Sequence, residues 1–138
     1  MIFESVSIIA IIGSGIASMI IGYVWYGPLF GKMWAQLQGW SVADMKAKQS
    51  QGMAKSYSIM FVGSLVLAAV LGMFAKTVGA ITLGDGIMVG FFAWLGFAAP
   101  LLLTSVLWEG KSYRLYALNA GYNLVQFIVL GAIVTLWG

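Results

Sequence analysis

Apolar positions along the chain gather into four long blocks, Ser5 to Tyr26, Tyr57 to Val78, Gly86 to Leu107 and Leu115 to Trp137. Each is about the length of the roughly 20 residues that cross a hydrocarbon core of about 30 Å. The one long polar stretch separates the first block from the second. It begins at Trp25-Tyr26-Gly27-Pro28-Leu29-Phe30-Gly31-Lys32-Met33-Trp34. Pro28 has no N–H to donate and biases Gly27 away from helical angles, which predicts a turn here, with Trp25 and Tyr26 at headgroup level. Leu29, Phe30, Met33, Trp34 and Leu37 then share one face at helical spacing. That predicts an interfacial helix, lying along the membrane surface or tucked under the bundle. Ser41 and Asp44 resemble a capping box at the start of a solvated helix from Val42 to Gln51, with Asp44 and Lys48 spaced to pair. The predicted fold is an all-α integral membrane protein. Four transmembrane helices form a single domain over residues 1–138, with interfacial and cytoplasmic-side helices at about 28–52 between the first and second.

Within the blocks, small residues recur in four-residue steps: Ser14, Ser18 and Gly22 after Ala10; Ser64, Ala68 and Gly72 after Ser56; and the pair Gly86 and Gly90. In lipid, burying apolar surface between helices gains little, and close backbone approach is a main source of association. These rows are therefore expected at helix contacts, and their number predicts a homo-oligomer. Pro100 lies well inside the third block with Gly96 four residues before it, which predicts a kink that glycine eases. Asp85, in Gly84-Asp85-Gly86, is expected to cap a helix start, and Lys76 to reach water by snorkelling. In the fourth block Tyr116, Asn119, Asn123 and Gln126 lie within roughly 80° on a helical wheel. Two readings of this polar stripe stand open: hydrogen bonding between helices, or a vestibule reaching mid-membrane with Glu109, Lys111 and Arg114 at its mouth. The first and third blocks also share a weak echo, a Trp-x-Gly series with Pro and Leu following.

Composition sharpens this picture. Hydrophobic residues make up 62% of the 138 and charged residues 8%, far from the roughly 25% charged of a soluble domain, and mean hydropathy is +0.97. The net charge of +3 comes mostly from two loops, so it reads as topology and lipid contact rather than nucleic-acid binding. Lys32, Lys46, Lys48 and Lys55 in the first loop and Lys111 and Arg114 in the third stand against Lys76 alone on the other side. The positive-inside rule then places loops 27–55 and 108–114 in the cytoplasm and both termini outside. The first block has Glu4 instead of a basic n-region and is read as a retained span rather than a signal peptide. With no Cys and no His, thiolate and imidazole chemistry and the common transition-metal ligand sets cannot be built. The acids Glu4, Asp44, Asp85 and Glu109 form no pair close in sequence. No catalytic residue, metal or cofactor is expected, and the chain is read as a non-enzyme.

Trp25-Tyr26-Gly27-Pro28-Leu29-Phe30-Gly31 with Trp34, Trp94-Leu95-Gly96-Phe97 with Pro100, Glu109-Gly110-Lys111 and Asn119-Ala120-Gly121-Tyr122 together resemble the bacterial membrane family catalogued as domain of unknown function 1761. The resemblance covers nearly the whole chain and implies a small four-span domain of the bacterial inner membrane without an assigned activity. Where such sequences often carry Arg in the third loop, this one has Lys111, which weakens any bidentate anion contact there. The residues suggest two functions. One is a homo-oligomeric passive channel or transporter for a small neutral or weakly polar solute, lined by the stripe amides. The alternative is a non-transport scaffold or accessory subunit that presents its loop helices to a partner. The span from Ile8 to Val24 carries no carboxylate, unlike the small multidrug exporters, which argues against cation exchange of their kind.

Overall fold

The computed structural model describes residues 6–41, 43, 44, 46, 47 and 54–137. Among the described residues, four helical stretches are long and apolar enough to cross a membrane: span 1 (Ile8–Leu29), span 2 (Ala54–Thr77), span 3 (Leu83–Leu107) and span 4 (Tyr113–Leu136). Each coincides with one of the apolar blocks. The protein is a small polytopic membrane protein.

Span 1 combines α1 (Ile8–Val24) with a π-helical turn, Trp25–Leu29. Ser7 caps its start, accepting a hydrogen bond from the Ala10 N–H. Here the structure departs from the expected turn at Gly27-Pro28. The helix widens instead of breaking: the Phe30 N–H reaches back five residues to the Trp25 carbonyl at 2.9 Å, a loop that tolerates the missing donor of Pro28. The short α2 (Gly31–Gln38) comes next. It stops at Gly39, whose φ of 78° lets the Gly39 and Trp40 N–H groups fold back onto the carbonyls of Gln36 and Ala35.

Ser41 and Asp44 exchange the expected capping bonds: the Asp44 carboxylate accepts from the Ser41 N–H and the Ser41 hydroxyl from the Asp44 N–H. Ala43, Asp44, Lys46 and Ala47 are helical and exposed; the remainder of the expected helix from Val42 to Gln51, including Lys48, lies outside the described residues.

Span 2 is the single helix α3 (Ala54–Thr77). Thr82 and Asp85 form a reciprocal capping box at the start of span 3, with the Asp85 carboxylate accepting from the N–H groups of Ile81 and Thr82. Span 3 runs through α4 (Leu83–Ala93), a second π turn at Trp94–Ala98, and the short α5 (Ala99–Leu102) and α6 (Thr104–Leu107). The kink anticipated at Gly96 and Pro100 takes the form of this π turn. The Ala99 N–H bonds the Trp94 carbonyl five residues back, and Pro100 sits in the first turn of α5, where no N–H is required. Span 4 is α7 (Tyr113–Leu136), capped by the Ser112 hydroxyl.

Span 4 is the hub. It contacts spans 1, 2 and 3, and its contact with α4 is the most extensive in the protein. Glycine makes that contact: a Cβ at Gly86 would lie 2.7 Å from the Gly131 carbonyl oxygen, and one at Gly90 would strike the Phe127 carbonyl. Span 1 packs on spans 2 and 4 through Ala10, Ser14, Gly15 and Ser18, all buried, while Ile8, Ile12, Ile16 and Ile20 on its other side are exposed. Ser64, Ala68 and Gly72 are the buried face of α3. On span 1 small side chains face inside and large apolar ones outside, as close approach in lipid demands, while Leu71, Leu130 and Val134 fill the core between spans 2 and 4.

Candidate functional site: the polar seam of span 4

The stripe on span 4 is tied to other helices at three of its four positions. The Tyr116 hydroxyl donates to the Ala99 carbonyl at 3.0 Å, joining span 4 to the part of span 3 beyond the second π turn. The Asn119 amide oxygen accepts from the Tyr26 hydroxyl at 2.7 Å. Gln126 is 5% exposed and donates through Nε2 to Ser18 Oγ at 2.6 Å. Asn123 turns its Nδ2 to the Asn119 carbonyl of its own helix.

The Gln126 contact opens a longer relay. Ser18 Oγ lies 2.8 Å from Ser64 Oγ, which is 2.9 Å from the Met60 carbonyl. With one proton per hydroxyl, the relay closes when Gln126 donates to Ser18, Ser18 to Ser64, and Ser64 to Met60. Spans 4, 1 and 2 are thereby joined by one chain of bonds at buried positions. Ser14, one turn before Ser18, is fully buried with a hydroxyl that has no partner, and Thr135, half-buried as a residue, has a buried hydroxyl without a partner.

Trp25 and Tyr26, both half-buried, turn toward span 4. The Trp25 indole N–H donates to the Leu118 carbonyl at 3.1 Å, and the Trp94 indole N–H to the Ala120 carbonyl at 2.9 Å. Each indole belongs to the first residue of a π turn. Two residues along a helix are about 200° apart, so spans 1 and 3 grip span 4 from opposite sides at one level. The physical reason is the N–H: a buried indole seeks an acceptor, and the widened turn lets its side chain reach one.

The other motif residues complete this knot. Gly121 leaves room for the Trp25 ring, since a Cβ there would lie 3.2 Å from it. Tyr26 packs on Tyr122 and on Trp34 with ring centroids 5.1 and 5.2 Å apart, and Trp34 meets Trp40 edge-on at 4.8 Å. These rings run from span 4 to α2 and brace it beneath the bundle, with Ala35 buried and Leu29 and Met33 exposed. Gly31 sits so close to the π turn that a Cβ would lie 2.7 Å from the Tyr26 carbonyl oxygen, whereas Gly27 and Gly96 face open space.

Glu109, Lys111 and Arg114 are exposed at the same end of the bundle. The loop carrying the first two is closed by the Lys111 N–H on the Ser105 carbonyl. Ala10, Ser14 and Ser18 on span 1, Ser64, Ala68 and Gly72 on span 2 and Gly86 and Gly90 on span 3 are buried against the chain's own helices, whereas Gly22 is half-buried and Ser56 exposed. Gly131, the partner of Gly86 and Gly90, is not marked by the sequence pattern. It stands outside any four-residue row, and only its identity as a glycine in span 4 hints at a close crossing. No curated protein and no solved structure matches this chain. The family described as protein of unknown function (DUF1761) matches residues 9–135, which include every residue of the knot, and the chain belongs to that family.

Proposed function

We propose that the protein is a non-transport membrane scaffold or accessory subunit, non-enzymatic, which holds α2 and the helical segment after Ser41 at one membrane face for a protein partner. One observation carries this reading: the polar and aromatic groups of the motifs spend themselves on one another, fixing the base on which α2 rests. A passive route for a small solute would instead need Asn123 and its neighbours to face water, and Tyr116, Asn119 and Gln126 point their polar atoms at spans 1 and 3. The excess of Lys and Arg on the loops at that end favours a cytoplasmic face, and the resemblance to bacterial sequences an inner membrane.

Absence of cysteine makes the test direct. A membrane-impermeant thiol reagent is expected to label Lys111→Cys and leave Asn123→Cys unlabelled. Labelling of Asn123→Cys would show a water-filled path and return the conduction reading. A photo-crosslinking residue placed at Ala47 is expected to yield a discrete protein adduct in cells, while one at lipid-facing Val66 yields none. Equal results at the two positions would remove the scaffold reading.

A further inference from the structure

The end of the bundle that carries the knot also carries most of the exposed polar rings and cations. Tyr23 on span 1, Tyr57 on span 2, Trp108 just past span 3 and Tyr113 on span 4 are exposed there, against Trp137 at the other end among the described residues. Lys32, Lys55, Lys111 and Arg114 are exposed at the same end. Among the described residues these four and Lys46 stand against the carboxylates Asp44 and Glu109, whereas Lys76 and Asp85 balance at the opposite end.

Hydrogen bonds between the spans fix the level of these groups. Ser18 meets Ser64; Tyr26 lies eight residues after Ser18, and Lys55 nine before Ser64. In antiparallel helices these are rises of about 12 and about 13 Å in the same direction, so Lys55 stands level with Tyr26. Tyr26 is bonded to Asn119, and Arg114 lies five residues beyond Asn119, or about 8 Å further out. Lys32 follows Leu29, the last residue of span 1, and Lys111 precedes Tyr113, the first of span 4. From Ile8, where α1 starts, the helix rises about 27 Å to Tyr26, close to the roughly 30 Å of a hydrocarbon core. The four cations therefore lie at or just beyond one edge of the core, where phosphates sit. Lys55, the innermost, reaches that level by snorkelling.

We propose that this end of the protein binds a collar of anionic phospholipids, whose phosphates pair with Lys32, Lys55, Lys111 and Arg114. The exposed tyrosines and Trp108 hold the surrounding chain at headgroup level. Charge complementarity supports the ligand class: an excess of cations at phosphate depth attracts the anionic lipids of its leaflet. Distribution favours lipid over an acidic protein. Rings and cations are shared out over the ends of all four spans instead of gathered on one patch. An annulus of small ligands meets such a perimeter, while a single docking protein covers one side of it. This binding does not depend on a protein partner at α2.

The test uses the full chain in phosphatidylcholine vesicles containing a trace of spin-labelled phosphatidylglycerol or spin-labelled phosphatidylcholine. The fraction of label immobilised at the protein gives the relative association of the two lipids. Phosphatidylglycerol is expected to be favoured several-fold in low salt and to approach parity in molar salt, where the screening length is about 3 Å. The double variant Lys55→Gln, Arg114→Gln should lower the preference by about half or more, and Lys76→Gln, at the other end, should leave it unchanged. Lys111→Gln serves the same purpose if the double variant does not fold. Immobilised phosphatidylcholine should stay constant through the series, which reports an intact bundle. Equal association of the two lipids would overturn the proposal, as would a preference that the double variant leaves unchanged. So would an absent preference together with binding of poly-glutamate to the solubilised protein through Lys111 and Arg114, because an acidic protein would then be the occupant.

Discussion

Two serines one turn apart on span 1 illustrate how little residue identity alone says about a buried hydroxyl. Ser14 and Ser18 belong to the same small row and are equally buried, yet Ser18 is the junction of the Gln126 and Ser64 bonds while the Ser14 hydroxyl has no partner. An unpaired buried hydroxyl costs about 1–3 kcal/mol, so Ser14→Ala is expected to be neutral or mildly stabilising against unfolding by denaturing detergent. Ser18→Ala strands the Gln126 amide and should cost about 1–3 kcal/mol by the same reasoning. Gln126→Leu removes the donor with it and should cost less than Ser18→Ala. If Ser14→Ala and Ser18→Ala proved equally damaging, the relay would not be what holds these spans. The row itself was legible in the sequence because four-residue spacing of small side chains marks a helix contact. Which serine carries a bond depends on the residue opposite, and that is decided by the helix crossing.

At the level of elements, the four spans were readable because length and apolarity suffice to define them. The π turns were not. Gly27-Pro28 read as a turn and Gly96 with Pro100 as a kink, since local rules register only that an ordinary helix is disfavoured there. The chain resolves both conflicts with the same device, a wide turn that aims a tryptophan at span 4, and the faint Trp-x-Gly echo is its trace. Trp25→Phe and Trp94→Phe are each expected to cost on the order of 0.6–2 kcal/mol, the range for interhelical bonds in membranes. Their effects should be nearly additive, because the indoles reach opposite sides of α7. A π turn holds one extra residue, so deleting Phe97 restores an ordinary helix and leaves Ala99–Leu107 in nearly the same angular register, because the five residues of the wide turn cover about the arc that four cover at 100° each. The Tyr116 bond to the Ala99 carbonyl is expected to survive, while the Trp94 indole loses its aim at the Ala120 carbonyl, so the deletion should cost about as much as Trp94→Phe. A deletion without loss of stability would mean that the π turn plays no part in placing the indole.

For the molecule as a whole, the contacts divide into a triangle of spans 1, 2 and 4, joined by the serine relay, and span 3, which rests mainly on span 4. Backbone contact at Gly86, Gly90 and Gly131 holds span 3 in place, so that attachment should be separable from the triangle. In Gly90→Leu the added side chain has no space against the Phe127 carbonyl; overpacking of this kind typically costs about 1–3 kcal/mol or more. Gly63→Ala serves as the control: Gly63 is exposed with nothing near its missing Cβ, and alanine there should be neutral or stabilising by up to about 1 kcal/mol. A reporter for the triangle is the Ser18→Cys, Ser64→Cys pair, whose side chains are adjacent and should oxidise to a disulfide. A reporter for span 3 is Ala99→Cys, a buried position on α5 that a membrane-permeant maleimide should reach only when span 3 moves off. With Gly90→Leu added, the disulfide is expected to form as before while Ala99→Cys becomes reactive. Loss of the disulfide together with exposure of Ala99→Cys would show that the four spans stand or fall as one unit. Span 4 would then hold the bundle through all its contacts at once rather than through two separable halves.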